Sequence, residues 1–179
     1  DLRVGPAAGH GHRQAFARIH RRKDDRWQSV VALDGERLVG FSYIECWGHG
    51  DFVATSGLIV DPEYRHMGLA EQIKRRTFEL ARRRFPYAKL FSITTSLPVM
   101  KLNSRMGYVP VTFSELTEDE EFWRGCEGCC NYDILQRNNR RMCLCTGMLY
   151  DRPRSAAAAP PAGPLPDVRE EQVSRRSST

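Results

Sequence analysis

The stretch Leu58-Ile59-Val60-Asp61-Pro62-Glu63-Tyr64-Arg65-His66-Met67-Gly68-Leu69-Ala70 decides how this chain is read. It closes an apolar run, Phe52 to Val60, that is rich in β-branched residues and reads as a strand. The run stops at Asp61-Pro62, because proline has no N–H to give a central ladder. A helix then opens with small residues at Gly68 and Ala70. Backbone N–H groups converge at such a turn with no side chain in the way, and a helix start adds roughly half a positive charge. Together they form a cradle for an anion such as a pyrophosphate. Arg65, with Lys74 and Arg75 further on, adds positive charge. The spacing is not that of a P-loop, since the Gly-Lys-Ser/Thr ending is absent, nor that of a Rossmann fingerprint.

Upstream, Ser29 to Leu33 and Leu38 to Ile44 are apolar runs joined through Asp34-Gly35, a hairpin signal. Downstream, Leu69, Ile73, Thr77, Leu80 and Ala81 recur at helical spacing, so the chain from Gly68 to Phe85 is predicted helical, with Pro86 ending it. Lys89 to Thr94 is a further strand. Leu97 to Met106 is a short helix closed by Gly107, and Tyr108 to Phe113 is the next strand. Thr117 and Glu120 form a capping box that opens a helix reaching Trp123. A last strand runs from Leu144 to Tyr150. Alternating strands and helices after an initial meander predict an α+β, or mixed α/β, domain.

The 179 residues have room for one domain and a tail. Hydrophobic residues at 41% suffice for one core. The domain is placed at 1–151, with a Cys-rich segment at 124–146. Residues 152–179, with Ala156 to Ala159 followed by Pro160, Pro161, Pro164 and Pro166, are expected to be a disordered Ala/Pro-rich tail. With 27% charged residues and no run of 18 apolar residues, no membrane span is expected. Asp1 to His20 carries no apolar signal region, and a cytoplasmic protein is expected. The net charge of +5 suits an anionic ligand. Arg75-Arg76 and Arg82-Arg83-Arg84 lack an aromatic stacking platform, so they are read as a solvated helix face and not as a nucleic-acid interface.

The central stretch closely resembles the acetyl-CoA-binding motif of the GNAT superfamily of acyl-CoA-dependent N-acyltransferases. Val60, Pro62, Arg65, Gly68 and Ala70 stand in its register, and Leu102-Asn103-Ser104-Arg105-Met106-Gly107-Tyr108 resembles the second family element. The resemblance covers about Leu2 to Phe113. It implies a mostly antiparallel sheet with a splayed strand pair, flanked by helices. It also implies acetyl-CoA as cosubstrate and a small-molecule amine as acceptor. Backbone amides of His66, Met67, Gly68, Leu69 and Ala70, with Arg65, would hold the pyrophosphate. The main chain of Leu58, Ile59 and Val60 would pair with the pantetheine arm, and a strand N–H would stabilise the oxyanion. A homodimer is compatible with it.

Two departures from the pattern matter. Where many GNAT enzymes carry a Tyr as general acid, this chain has Asn103, which can hydrogen-bond to sulfur but cannot protonate it. Asn103 is either that weak substitute or a structural polar residue. Tyr108 matches the family's packing aromatic. No carboxylate lies on Phe52 to Val60, so the general base is sought on adjoining segments among Glu45, His49 and Asp51, with Glu45 taken as the base. Trp47 and Phe52 flank the Gly48-His49-Gly50 turn, which can line an acceptor site.

Five of the six cysteines fall between Cys126 and Cys145. Cys126 and Cys129 can share a knuckle, and Cys143 and Cys145 would share a strand face, so the four can close a structural zinc site. Free thiols packed as small hydrophobes, and a redox or iron–sulfur role, are the alternatives. The surrounding sequence also resembles a tail found on some bacterial GNAT proteins associated with arginine biosynthesis. That resemblance implies glutamate as acceptor, with Arg124, Arg137, Arg140 or Arg141 available for its carboxylates.

Overall fold

The computed structural model describes residues 16–21 and 27–151. These form β1 (Phe16–Arg21), β2 (Trp27–Asp34), β3 (Arg37–Trp47), β4 (Phe52–Val60), α1 (Leu69–Arg84), β5 (Lys89–Thr94), α2 (Leu97–Arg105), β6 (Val109–Val111), α3 (Glu120–Arg124), α4 (Tyr132–Arg137) and β7 (Thr146–Tyr150). One sheet holds all seven strands in the order β1-β2-β3-β4-β5-β7-β6. Every neighbouring pair is antiparallel except β4 and β5. A parallel pair needs a crossover, and α1 supplies it. The expected α+β class with a mostly antiparallel sheet is the one formed.

Residues two apart on a strand share a face. Ile44, Val53, Leu90 and Met148 therefore meet Leu69, Ile73 and Leu80 of α1 in one core. The alternate residues Ala54, Phe91 and Leu149 meet Phe113, Trp123 and Leu135 in a second core on the opposite face, beneath α3 and α4. A fully buried side chain of the size of Ile73 or Phe91 contributes about 1.5–3 kcal/mol.

β4 and β5 pair over only three positions, Phe52 with Lys89, Val53 with Leu90 and Ala54 with Phe91. Beyond Ala54, β4 keeps β3 alone, and beyond Phe91, β5 keeps β7 alone. A bulge lies just past the parting. Tyr43 pairs with Ser56 and Phe41 with Ile59, so β4 carries one residue more than β3 there. Gly57 takes φ +67° within the bulge, and a Cβ on it would stand 2.3 Å from Tyr43 Cε1. The Ser42 hydroxyl donates to the Ser56 carbonyl at 2.9 Å, satisfying an acceptor at the bulge.

Several local expectations shift. β1 precedes the first predicted strand, and α4 was given no element by its sequence. The strand expected over Tyr108 to Phe113 shortens to Val109–Val111, because Phe113 opens a 3-10 turn. The last strand begins at Thr146, not Leu144. The capping box of Thr117 and Glu120 does not form. Asp119 caps α3 by accepting from the Glu121 N–H, while the Thr117 hydroxyl accepts from the Asp119 N–H. The tail at 152–179 lies outside the described residues. No helix among the described residues is long and apolar enough to cross a membrane.

Candidate active site

The turn after β4 is fastened before it opens. Tyr64, 2% exposed, donates its hydroxyl hydrogen to Asp34 at the β2–β3 hairpin. Arg37 of the same hairpin donates to Asp61 at 2.7 Å and to Glu63 at 2.9 Å. Exposed pairs of this kind contribute little singly, so the buried Tyr64 ring is the main anchor. His66 (φ +62°) and Gly68 (φ +79°) then turn left-handed on either side of Met67. Such alternation aims successive N–H groups into one concavity. Among the described residues, no protein acceptor takes the N–H of His66, Met67 or Gly68. The first N–H groups of α1, from Leu69 onward, are capped by no side chain. A Cβ on Gly68 would meet nothing within 4 Å, so the notch is open. Arg65 is exposed and donates through Nε to the Val60 carbonyl at 3.2 Å.

Lys74 corrects the expectation that it serves this turn. It points to the parting of β4 and β5 and is 1% exposed. Its Nζ donates to Thr55 Oγ1 at 2.9 Å and to the Thr55 carbonyl at 3.3 Å. Burial pulls its pKa down to about 8. Thr55 Oγ1 donates to the Phe91 carbonyl at 3.2 Å and lies 3.4 Å from the Tyr108 hydroxyl. Burial holds the Tyr108 phenol well above its ordinary range, and the ring packs in the first core. Asn103, on α2, is wholly buried, and neither its Oδ1 nor its Nδ2 has a partner. An unpaired buried polar group costs about 1–3 kcal/mol. Arg75, also expected to serve the turn, is tied to Glu71 at 2.8 Å, and Glu71 in turn holds Arg105 of α2.

Glu45 pairs with Ala54, the last β4 residue that touches β5, and is 8% exposed. By alternation it shares the face of Trp47 and Ala54, opposite α1. Glu45 and Lys74 thus flank the parting from opposite faces. Tyr43 is raised above its ordinary pKa first by burial and then by the Glu45 charge. His49 and Asp51 lie instead at the closed end of the strand pair. They line a cleft of about 810 Å³ with Phe52, Lys89 and Asp151.

All six cysteines are free thiols. The Cys129 N–H donates to the Cys126 carbonyl at 2.9 Å, closing the expected turn. Burial pushes the Cys145 thiol up to about 11, and Cys143, Cys129 and Cys126 add to the rise. The four expected ligands are therefore neighbours. Yet among the described residues no group of three or more His, Cys, Asp or Glu side chains is arranged to hold a metal ion. The geometry gives no support to zinc on Cys126, Cys129, Cys143 and Cys145. Cys129 is exposed, and the Cys143 thiol is turned to the Asn131 carbonyl at 3.7 Å. Of the arginines considered for the acceptor, Arg137 is paired with Asp133 and Arg140 with Glu120. Arg124 lines a cavity of about 330 Å³ with Trp123 and Tyr132.

Among curated proteins, none matches this chain in sequence. Solved structures share its fold. An acetyltransferase of Bacillus subtilis in complex with CoA is 12% identical, with a TM-score of 0.53 over 78% of this chain and 99% of that one. An acetyltransferase of Streptococcus agalactiae is 17% identical, with a TM-score of 0.51 over 72% and 68%. N-acetylglutamate synthase of Neisseria gonorrhoeae, complexed with coenzyme A and N-acetyl-glutamate, is 17% identical, with a TM-score of 0.51 over 70% of this chain. The match spans 26% of the length of that synthase. The sequence model of the acetyltransferase (GNAT) family matches residues 5–108, more than half of the 179, and the chain belongs to that family.

Proposed function

We propose that this chain transfers an acetyl group from acetyl-CoA to the primary amine of a small molecule. The observation that carries the reading is the open turn at His66, Met67 and Gly68, whose N–H groups face no protein acceptor among the described residues, at the end of a strand freed from its neighbour. The amides of His66, Met67, Gly68, Leu69 and Ala70 hold the pyrophosphate, with Arg65 beside them. The β4 edge at Leu58, Ile59 and Val60 pairs with the pantetheine arm. This places the thioester at the parting of the strands.

The acceptor amine attacks the thioester carbonyl from the face that carries Glu45. A C–N bond forms, and a β4 N–H steadies the oxyanion. Glu45 takes the proton the amine sheds. The C–S bond then breaks, and Asn103 donates a hydrogen bond to the departing thiolate from the α1 face. An amino acid such as glutamate is the acceptor class favoured. An α-amine, with a pKa of about 8, needs less help from a base than a lysine side chain does. The fold shared with a synthase crystallised with N-acetyl-glutamate is consistent with that choice.

The test is calorimetric titration with CoA, followed by thiol release from acetyl-CoA across a panel of amines that includes glutamate. Binding of CoA and amine-dependent release are expected. Absence of CoA binding refutes the reading. Binding with no release by any amine leaves an acyl-CoA-binding module, the outcome that Asn103 in place of a phenol would favour. Gly68→Val should weaken CoA binding, because its side chain enters a notch that is open in the native protein.

A further inference from the structure

We infer that Lys74 is a positioning residue for acyl transfer: through Thr55 it holds the β4–β5 parting in place, and its charge faces the leaving thiolate. The inference rests on the acetyl-CoA reading above.

Where a ladder ends inside a protein, its last acceptors lose their partners and must find others. At this parting the Thr55 carbonyl accepts a hydrogen bond from Lys74, and the Phe91 carbonyl accepts one from the Thr55 hydroxyl. The Thr55 oxygen is in turn tied by Lys74 Nζ at 2.9 Å. One lysine and one threonine thus satisfy both strands at the point where they separate. A neutral donor would do as much, so the hydrogen bonds alone do not explain a lysine.

The charge is the second consideration. Burial lowers the Lys74 pKa, and among the described residues no carboxylate forms an ion pair with it. Among the described residues, the groups facing it are the Thr55 hydroxyl and carbonyl from β4 and the Tyr108 ring from beyond α2, 5.9 Å from Nζ. Tyr150 of β7 packs behind Tyr108. On α1 itself, Glu71 is held at the surface by Arg75 and Arg105. An uncompensated buried ammonium is costly, and its field is strong in a dry site. The side chain of Asn103, buried and unpaired, stands on the helix whose end is tied to Tyr108. A buried cation and an orphaned amide on one side of the strand parting suit a reaction that releases an anion there. The lysine acts through its field and through Thr55, without giving up a proton.

The test uses the full chain. Lys74→Met removes the charge while keeping the length, and Thr55→Val removes the hydroxyl that links Lys74 to the Phe91 carbonyl while keeping the charge and its bond to the Thr55 carbonyl. With either variant, KM for acetyl-CoA should stay within about threefold of wild type while kcat falls at least about tenfold. Lys74→Arg should restore part of kcat. The second readout does not need turnover. In protein labelled with 13C at lysine Cε, the Lys74 titration should move to higher pH on adding CoA, and should not move with desulfo-CoA. Unchanged kcat in Lys74→Met, or a titration indifferent to the sulfur, overturns the inference while leaving acetyl transfer standing. A wild-type chain that binds no CoA overturns the acetyl-CoA reading first. Should Lys74→Met fail to fold, Thr55→Val and the titration decide.

Discussion

Gly57→Ala isolates the β4 bulge just past the parting of β4 and β5. The native φ of +67° places the residue in the left-handed region, which costs an alanine about 1–2 kcal/mol. Its Cβ would also stand 2.3 Å and 2.6 Å from Cε1 and Cδ1 of Tyr43. That ring lies against Phe41, with centroids 5.6 Å apart, so it cannot swing freely. Overpacking of this kind adds about 1–3 kcal/mol, and the two effects together predict a loss of roughly 3 kcal/mol. Urea unfolding followed by tryptophan fluorescence measures it, alone and combined with Tyr43→Ala. Removing the ring removes the clash but not the φ strain, so a coupling of about 1–2 kcal/mol is expected between the two sites. Gly68→Ala is the control: its φ is +79° but nothing lies within 4 Å, so only the backbone cost remains. A Gly57→Ala protein as stable as the Gly68→Ala protein, or strict additivity with Tyr43→Ala, would refute the reasoning.

Three further outcomes follow from the site. Asn103→Leu replaces a wholly buried amide that has no partner by an apolar side chain of similar size, so thermal unfolding should show a gain of about 1 kcal/mol while turnover falls; a loss of stability would mean that the amide is satisfied. Lys74 falls from 10.5 to about 8 on folding, so the unfolded chain holds the proton that the folded chain has shed between those values. Stability from this group therefore rises with pH above about pH 8, by about 1 kcal/mol per unit. Cys145, raised on folding, acts in the opposite direction from about pH 9. The stability difference between wild type and Lys74→Met, measured by urea unfolding, isolates the lysine, and a difference that does not vary with pH would refute its burial as an ammonium. Alkylation by iodoacetamide read by mass spectrometry should reach the exposed Cys129 and Cys130 first and Cys145 last; protection of Cys126, Cys129, Cys143 and Cys145 together until a chelator is added would reveal the metal site that the geometry does not support.

Some of the site was legible because its signals are local. Gly68 and Ala70 after Asp61-Pro62 describe a turn within a dozen residues, and the left-handed φ at Gly68 is a property that glycine brings by itself. Lys74 was legible in part. It stands three residues before Thr77 and seven before Ala81, on the stripe that α1 buries, yet its charge suggested the solvent side. A glycine inside a β-branched run is a bulge signal, and the reading of Phe52 to Val60 as one strand passed over it at Gly57. The Asp119 cap was missed because Thr117 offered a capping box of equal local merit, and the indole N–H of Trp123 holds the Thr117 carbonyl at 2.8 Å.

The chain's own order of residues determined the hairpin, the β4 strand, the open turn after it and α1, and with them the family. Each depends on groups a few positions apart, whose preferences act before the chain is compact. Tertiary structure alone decided where β4 leaves β5, which face receives Glu45 and which Lys74, and that the cysteines gather without converging. Those outcomes depend on strand register and on burial, which bring residues tens of positions apart into one dry place, and no local pattern carries that information.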